Sequence, residues 1–302
     1  MSFPIPALAY WVDTLDPVIF HVWGPISLRW YGLAYVSGFV AAYLLWMRAS
    51  RKGLTPLTQA NIEELMTWGI AGVIVGGRLG FMLLYDFGGF MQNPLSILRV
   101  DQGGMSFHGG AAGCLIVTFL VSWRRKLNVF KVGDLAVMGV SWGLLFGRLA
   151  NFINGELWGK VSTVDWAVIF PRAPLDHTAA TVFVETAKFA GLANPRHPSQ
   201  LYEAATEGLL LGVIALILFW KTPITRRVPG LLSGLYFMGY AGARIFCEMF
   251  REPDASLIWG LSRGSVYSFA MVLFGAALIV VTIVRATSGV TPAMPCNPDS
   301  PE

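Results

Sequence analysis

Arginine, asparagine and glutamate are concentrated in one short segment of an otherwise apolar chain. The segment runs Gly147-Arg-Leu-Ala-Asn-Phe-Ile-Asn-Gly-Glu-Leu-Trp-Gly159. Its polar residues are Arg148, Asn151, Asn154 and Glu156, and steps of three residues place the first three on neighbouring turns of a helix. A guanidinium binds phosphate or carboxylate groups through forked hydrogen bonds. The segment therefore predicts an anion-binding site, although asparagines also link helices within membranes.

Two further segments combine cations with carboxylates. Tyr240, Arg244 and Glu248 recur every four residues and form one stripe along a helix. The arginine and glutamate of this stripe either form a structural ion pair or act on a substrate. Glu203 follows Pro198 at the start of another predicted helix, where it binds a ligand or only complements the helix dipole.

A histidine among glycines is a candidate acid–base group. His108 lies in Gly104-Met-Ser-Phe-His-Gly-Gly110, where the glycines let a backbone or a lipid approach closely. Histidine or a perturbed glutamate can take a proton from a nucleophile, and a structural hydrogen bond is the alternative role for His108. Arg78 either belongs to the same site or extends to the lipid headgroups.

Transmembrane helices must position these residues. Of the 302 residues, 55% are hydrophobic and 13% are charged, and the mean hydropathy is +0.57. In a soluble domain, about a quarter of the residues are charged. Apolar stretches of about 20 residues recur along the chain. They predict seven membrane-spanning helices near residues 30–47, 66–85, 107–123, 134–154, 201–220, 230–249 and 265–284.

Basic residues in alternate loops predict the orientation of these helices. Short basic loops stay in the cytoplasm, so the N-terminus is expected outside and the C-terminus inside. The net charge of +4 needs no nucleic-acid partner, because loop bases account for it. These bases are Arg48, Arg51, Lys52, Arg124, Arg125, Lys126, Lys131, Lys221, Arg226, Arg227 and Arg285.

This orientation places the polar residues of the helices near one side of the membrane. Tyr31 marks the outer end of the first helix, and the inner halves of the helices are nearly bare of charge. Ionisable groups within a bilayer face the bundle interior and pair with one another. The polar residues of these helices together predict a polar chamber that opens toward the outer leaflet.

The predicted fold is an all-α integral membrane protein in three parts. Residues 1–29 form an outer interfacial arm, and residues 30–285 form a seven-helix catalytic domain. This domain includes a small extracytoplasmic cap at 157–199, in which Val164–Phe170 favours a strand. Residues 286–302 form a polar, disordered cytoplasmic tail.

Arginines, a histidine and carboxylates at headgroup depth suit an enzyme that acts on an anionic phospholipid. Cys114, Cys247 and Cys296 show neither the spacing of a metal site nor that of a disulfide framework. We therefore expect no metal and no cofactor.

The chain resembles bacterial phosphatidylglycerol–prolipoprotein diacylglyceryl transferases over most of its length. The signature Gly-Arg-x-x-Asn-Phe-x-Asn-x-Glu-x-x-Gly is highly specific. One departure is Lys160, because arginine is commoner there in the family. The matching motifs are Leu28-Arg-Trp-Tyr-Gly32, Gly104–Gly110, Gly147–Gly159, Arg196-His-Pro-Ser-Gln-Leu-Tyr-Glu203, Arg244 with Glu248, and Arg251-Glu-Pro-Asp254.

The resemblance implies an enzyme of the bacterial cytoplasmic (inner) membrane with its active site on the extracytoplasmic side. It would transfer the diacylglyceryl group of phosphatidylglycerol to the lipobox cysteine of a preprolipoprotein. The products would be a thioether and glycerol phosphate. The expected partners are phosphatidylglycerol, the signal peptide with its lipobox cysteine and the lipid bilayer.

The expected catalytic residues are Arg148, Arg244, His108 and Glu248. Arg148 and Arg244 would hold the phosphate and stabilise the leaving group. His108 or a nearby glutamate would deprotonate the thiol, and Glu248 would orient Arg244. The expected substrate-binding residues are Arg148, Asn151, Asn154, Glu156, Gly159, Tyr31, Glu203 and Tyr240.

Two other functions compete with this hypothesis. An intramembrane serine protease would need a serine beside a histidine, but Ser106 and His108 are two positions apart and do not face each other on a helix. A transporter would need broken helices and polar groups reachable from both sides, whereas the predicted inner half is apolar.

Overall fold

The computed structural model describes residues 10–24, 26–99, 104–173, 194–253 and 258–289. Several predicted features lie outside these residues, namely 1–9 of the arm, 174–193 of the cap, 290–302 of the tail, Asp254 and Cys296.

Helices make up most of the described chain. In chain order they are α1 Trp30–Arg51, α2 Gln59–Leu84, α3 Phe87–Gln92, α4 Phe107–Arg124, α5 Val129–Ile153, α6 Ser199–Glu203, α7 Leu211–Lys221, α8 Ile224–Arg227, α9 Leu231–Glu248 and α10 Arg263–Thr287. A 3-10 turn, Pro94–Leu98, follows α3. A π-helical segment, Ala204–Leu210, joins α6 to α7, so that Ser199–Lys221 forms one long helix.

Five of the described helices are long and apolar enough to cross a membrane, which agrees with a multi-pass membrane protein. They are α1, α2, α5, Ser199–Lys221 and α10. The other two predicted spans correspond to α4 and α9, which have 18 residues each. Both are less apolar because part of their length is polar, including His108 in α4 and the pair Arg244 and Glu248 in α9.

Two predicted helix boundaries are wrong at their N-terminal ends. The helix α2 begins at Gln59 because Thr58 Oγ1 accepts the N–H of Asn61 at 3.3 Å. The helix α5 begins at Val129 because Asn128 Oδ1 accepts the N–H of Phe130 at 3.0 Å. Such caps satisfy amides that lack a partner within the helix. Both helices therefore extend through polar turns that hydropathy alone assigns to loops.

The described residues contain four short strands in the N-terminal arm and the cap. They are β1 Trp11–Val12, β2 Val18–Trp23, β3 Ile26–Arg29 and β4 Val168–Ile169. The strand β4 confirms the strand expected within Val164–Phe170, and it pairs in parallel with β1. Part of the predicted interfacial arm is therefore built into the cap. The strands β2 and β3 form an antiparallel hairpin that leads directly into α1.

Close packing of α2 against α4 holds the start of α4 in place. A Cβ at Gly109 would lie 2.2 Å from the carbonyl oxygen of Gly76, so only glycine fits there. Small residues of this kind let membrane helices approach closely. The first turn of α4, which carries His108, is thereby fixed against the C-terminal half of α2.

Candidate active site

Arginines and glutamates from three long helices and the loop after α9 meet in one buried cluster. Their formal charges sum to zero, and ion pairs connect all of them. The side chains of Glu203 and Glu207 are fully buried, at 0% exposure. We call this the arginine–glutamate cluster, and its members are Arg148, Glu203, Glu207, Arg244, Glu248 and Arg251.

Glu203 is the centre of the cluster. Its Oε2 lies 2.8 Å from Nε of Arg148. Its Oε1 lies 2.8 Å from Nη1 of Arg251 and 3.2 Å from Nη1 of Arg244. A fully buried carboxylate is destabilising unless it is paired, and three arginines pair with this one. The interpretation of Glu203 as a mere complement to the helix dipole is therefore wrong.

Glu207 joins the cluster from the π-helical segment. Its two carboxylate oxygens lie 3.5 Å from Nη2 of Arg148 and 3.5 Å from Nη1 of Arg244. A Cβ at Gly208 would lie 2.7 Å from Cα of Leu145, so α5 and the π segment touch backbone to backbone. Single π turns are frequent at functional sites, and this one brings α5 to both glutamates.

Glu207 and Arg251 were not among the predicted site residues. A signal for Glu207 was present, because it follows Glu203 by four residues on one predicted helix and thus lies on the same face. Arg251 lies beyond the end of α9. Its place in the cluster depends on the turn that follows this helix.

The stripe on α9 is confirmed as a contact between Arg244 and Glu248. Nη2 of Arg244 donates a hydrogen bond to Oε1 of Glu248, and Tyr240 is buried one turn earlier. A Cβ at Gly264 of α10 would overlap this pair, so α10 closes over it. Because Arg244 also reaches Glu203 and Glu207, the pair is part of the larger cluster.

The two central arginines remain partly accessible while their glutamate partners do not. The side chains of Arg148 and Arg244 are 15% and 13% exposed. Arg148 Nε and Arg244 Nη1 lie within ion-pair distance of carboxylates but lack hydrogen-bond geometry. A guanidinium has five N–H donors. The ion pairs described above therefore do not use every donor of these two arginines.

The asparagines of the sequence signature bind its glutamate. Nδ2 of Asn151 and Nδ2 of Asn154 donate to the same oxygen of Glu156, at 2.8 and 3.2 Å. Arg172, which follows β4, donates from Nη1 to the carbonyl oxygen of Asn154 at 3.0 Å. The signature therefore divides into Arg148, which faces the buried carboxylates, and a polar turn that the cap supports.

Gly159 and Lys160 join the cap to the turn after α9. The N–H of Gly159 donates to the carbonyl oxygen of His197 at 2.9 Å, and a Cβ at Gly159 would lie 2.5 Å from this oxygen and from that of Phe250. Only glycine fits this space. Nζ of Lys160 donates to the carbonyl oxygen of Met249 at 2.9 Å.

His108 and Tyr31 are not among the residues of the ion pairs described above. The exposed His108 packs edge to face on Tyr267 of α10, with ring centroids 4.7 Å apart. Tyr31 packs in the same manner on Tyr35, at 5.2 Å. The buried hydroxyl of Ser106 accepts the N–H of Gly109 at 3.2 Å and so caps α4. The geometry does not favour the protease alternative.

Arg78 is buried and does not extend to lipid headgroups, so that interpretation is wrong. Its Nε donates to the carbonyl oxygen of Ile97 at 3.0 Å, and its Nη1 to that of Gly104 at 3.0 Å. Its Nη2 donates to the carbonyl oxygen of Ser96 at 2.5 Å. Arg78 thus organises the segment between α3 and α4.

Two titratable groups, one in the N-terminal arm and one in the cap, have shifted pKa values. Burial, helped by the charge of Lys160, lowers the pKa of His197 from 6.5. Burial raises the pKa of Asp13 from 3.8, against the opposing effects of the Leu15 N–H and Arg172. In the described ranges, no three His, Cys, Asp or Glu side chains are placed to hold a metal ion.

Comparison with known proteins identifies the family of the chain. A family model described as prolipoprotein diacylglyceryl transferase matches residues 17–281. Three relatives named phosphatidylglycerol–prolipoprotein diacylglyceryl transferase are similar over nearly their whole length. The protein of Idiomarina loihiensis is 41% identical over 91% of this chain and 97% of its own. That of Azospirillum brasilense is 43% identical over 88% and 93%. That of Ruegeria pomeroyi is 44% identical over 82% and 88%. The chain therefore belongs to the prolipoprotein diacylglyceryl transferase family.

Proposed function

We propose that this chain transfers the diacylglyceryl group of phosphatidylglycerol to the lipobox cysteine of preprolipoproteins. The products are a thioether-linked lipid on the cysteine and free glycerol phosphate. Family membership and the names of the relatives support this reaction. The structural observation that carries it is the convergence of Arg148 and Arg244, both partly accessible, on the same two buried glutamates.

The proposed membrane arrangement has seven spans, with the N-terminus outside and the C-terminus in the cytoplasm of a bacterium. Residues 1–29 then form the outer arm, 30–285 the catalytic domain with its cap at 157–199, and 286–302 the inner tail. The cluster supports an outward-facing site, because its members lie near the ends of α5 and α9 and near the start of the helix Ser199–Lys221. The basic loops lie at the opposite ends of these helices.

In the proposed complex, Arg148 and Arg244 donate to the phosphate oxygens of phosphatidylglycerol. Their glutamate partners hold the guanidinium groups in place before the lipid arrives. Preorganised donors stabilise developing charge without rearrangement at the moment of reaction, which is the largest expected catalytic effect. Glu248 orients Arg244, and Glu203 connects both arginines.

The proposed reaction is a displacement at carbon. The lipobox thiol loses its proton to His108 or to a glutamate, because the thiolate is the reactive nucleophile. Its sulfur then attacks the carbon of the diacylglyceryl unit that bears the phosphate ester. A C–S bond forms as the C–O bond breaks, and the electron pair leaves with the phosphate oxygen of glycerol phosphate.

The polar turn of the signature supplies headgroup contacts in this proposal. Glu156, held by Asn151 and Asn154, accepts hydrogen bonds from the glycerol hydroxyls. The remaining lining residues are Tyr31, Gly159, Glu203 and Tyr240. The lipobox peptide reaches the site from the outer leaflet, after its signal peptide has entered the membrane.

One assay tests the proposed function directly. Purified protein is incubated with phosphatidylglycerol and a lipobox peptide, and the peptide mass is followed. The proposal expects the mass of one diacylglyceryl group on the peptide, and no addition when serine replaces the peptide cysteine or phosphatidylcholine replaces the lipid. Solute flux into vesicles without any transfer to the peptide would instead favour the transporter.

A further inference from the structure

A buried carboxylate lies at the end of the bundle opposite the arginine–glutamate cluster. Asp134, in the second turn of α5, is 1% exposed. Its Oδ2 accepts the N–H of Gly230 at 2.7 Å. Its Oδ1 accepts the N–H and the hydroxyl of Ser233, both at 2.8 Å.

These hydrogen bonds cap α9 from another helix. The first amides of a helix have no partner within it, and Gly230, which precedes α9, has no side chain to supply one. Gly230 has a φ of +92°, and a Cβ there would lie 2.6 Å from Cγ2 of Thr282 and 2.8 Å from Cδ1 of Phe130. The turn is therefore tightly packed between the ends of α5 and α10.

The contact between Asp134 and Gly230 lies at the same distance along each helix from the central arginine of that helix. Fourteen residues separate Asp134 from Arg148 on α5, and fourteen separate Gly230 from Arg244 on α9. At a rise of about 1.5 Å per residue, both intervals equal about 21 Å. Because Asp134 contacts Gly230 and both arginines contact Glu203, the two helices run in the same direction.

We propose that Asp134 is a positioning residue that fixes the height of α9 relative to α5 and so holds Arg244 level with Arg148. The inference rests on the proposed transferase function. A shift of α9 by one residue would move Arg244 by about 1.5 Å. A displacement of about 1 Å in a catalytic group can lower the rate by about a hundredfold.

Lengthening the capping side chain tests this role. Asp134→Glu keeps a carboxylate but adds one methylene group, which displaces α9 in a packed site. We expect kcat to fall by about tenfold to a hundredfold. Asp86→Glu is the matched control, because Asp86 accepts the N–H of Gly89 at 3.2 Å as the cap of α3. Its kcat should change by less than about twofold, the range expected for an exposed cap.

A double-mutant cycle distinguishes positioning from general stabilisation. In an Arg244→Lys background, Asp134→Glu should lower kcat by no more than about twofold, because the residue acts through Arg244. An equal loss in both backgrounds would overturn the proposal. If Asp134→Glu does not fold, Asp134→Asn undergoes the same comparison, because its amide has only one acceptor oxygen and so loses the hydrogen bond from Gly230 or from Ser233. Its kcat should then fall in the wild-type background and change by no more than about twofold in the Arg244→Lys background.

Hydrogen exchange separates this inference from the proposed function. Asp134→Asn should speed exchange at the amides of Gly230 and Ser233 by about tenfold, whichever reaction the protein catalyses. Unchanged exchange at both amides would overturn the capping role. Faster exchange in a protein whose wild type transfers no lipid would instead overturn the function and, with it, the catalytic role of Asp134.

Discussion

Arg78 and Arg148 occur in the same tripeptide, Gly-Arg-Leu, within two long helices, yet their surroundings differ. Arg78 donates to three backbone carbonyl groups that lie within 26 residues of it in the chain. Arg148 pairs with Glu203 and Glu207, on a helix that begins about 50 residues later. The first arginine organises one local segment, and the second connects distant helices at an accessible site.

If Arg148 binds the substrate as proposed, this difference indicates which feature separates a substrate-binding arginine from a structural one. Burial alone does not, because the whole Arg78 residue is only 5% exposed. The feature proposed here is a pair of partly accessible arginines that share buried carboxylate partners. Neutral carbonyl groups hold Arg78 in place, whereas carboxylates hold Arg148, and in the proposed function this arginine binds the phosphate.

Replacing the central arginines should have the largest effect. We expect Arg148→Gln and Arg244→Gln each to lower kcat by about a thousandfold, because loss of one preorganised donor already costs about a hundredfold or more. The assay is lipid transfer to a lipobox peptide, followed by mass. A loss of less than about tenfold in either variant would show that the cluster is structural.

Replacing His108 should have the next largest effect on kcat. General-base catalysis contributes about a hundredfold or more, so His108→Gln should lower kcat to that extent while the protein remains folded, because the side chain is exposed. Tyr267→Leu, which removes only the ring against which His108 packs, serves as the comparison. Retained activity in His108→Gln would assign the proton transfer to a glutamate of the cluster.

Glu203 and Glu207 should differ in their effect on stability. Glu203 pairs at 2.8 Å and Glu207 at 3.5 Å, so Glu203→Gln should destabilise the fold more. Breaking a buried ion pair costs about 3–5 kcal/mol. We expect a loss in that range for Glu203→Gln and about half of it for Glu207→Gln, measured by chemical denaturation in detergent. The reverse order would contradict the central place of Glu203.

Replacing Arg78 should reduce stability more than activity, whereas replacing Arg148 should mainly reduce activity. Arg78→Gln leaves buried carbonyl groups without a donor, at about 1–3 kcal/mol for each. The melting temperature should fall, while kcat of the folded protein falls by less than about threefold, within the range expected away from the reacting atoms. A kcat loss as large as that of Arg148→Gln would remove the distinction between the two arginines.

Acidic pH should lower the stability of the protein through His197 of the cap. This is the smallest of the expected effects. The pKa of His197 lies below its ordinary 6.5 in the folded protein, so the unfolded chain binds more protons as the pH falls through this value. Stability is therefore highest above 6.5 and declines below it. The melting temperature should decrease toward about pH 5.5, and His197→Gln should reduce that decrease. The same decrease in His197→Gln would assign the titration to another group.

Much of the fold could be predicted because hydropathy records burial in lipid directly. The predicted 107–123 and 230–249 agree closely with α4 and α9. The early starts of α2 and α5 could not be predicted from hydropathy, because capping by Thr58 and Asn128 extends helices through polar turns. The pairing of β1 with β4 joins residues far apart in sequence, which no local pattern indicates.

The sequence predicted which residues belong to the site better than it predicted the contacts between them. Arg148, Arg244 and Glu203 were predicted, and the structure brings them together. The role of Glu207 depends on a π turn and on the close approach of α5 at Gly208, neither of which has a reliable sequence pattern. Whether an arginine meets carbonyl groups or carboxylates is likewise decided by the packing of helices.

Phosphatidylglycerol binding tests the central claim most directly, because it asks whether Arg148 and Arg244 hold one phosphate together. The purified wild type, Arg148→Gln, Arg244→Gln and Arg78→Gln would each be titrated with phosphatidylglycerol and followed by native mass spectrometry. We expect each cluster variant to weaken binding by about tenfold or more, the range for hydrogen bonds to charged groups. The double variant should weaken it by less than the product of the two losses, and Arg78→Gln should bind as the wild type does. Unchanged affinity in Arg148→Gln and Arg244→Gln would contradict the account.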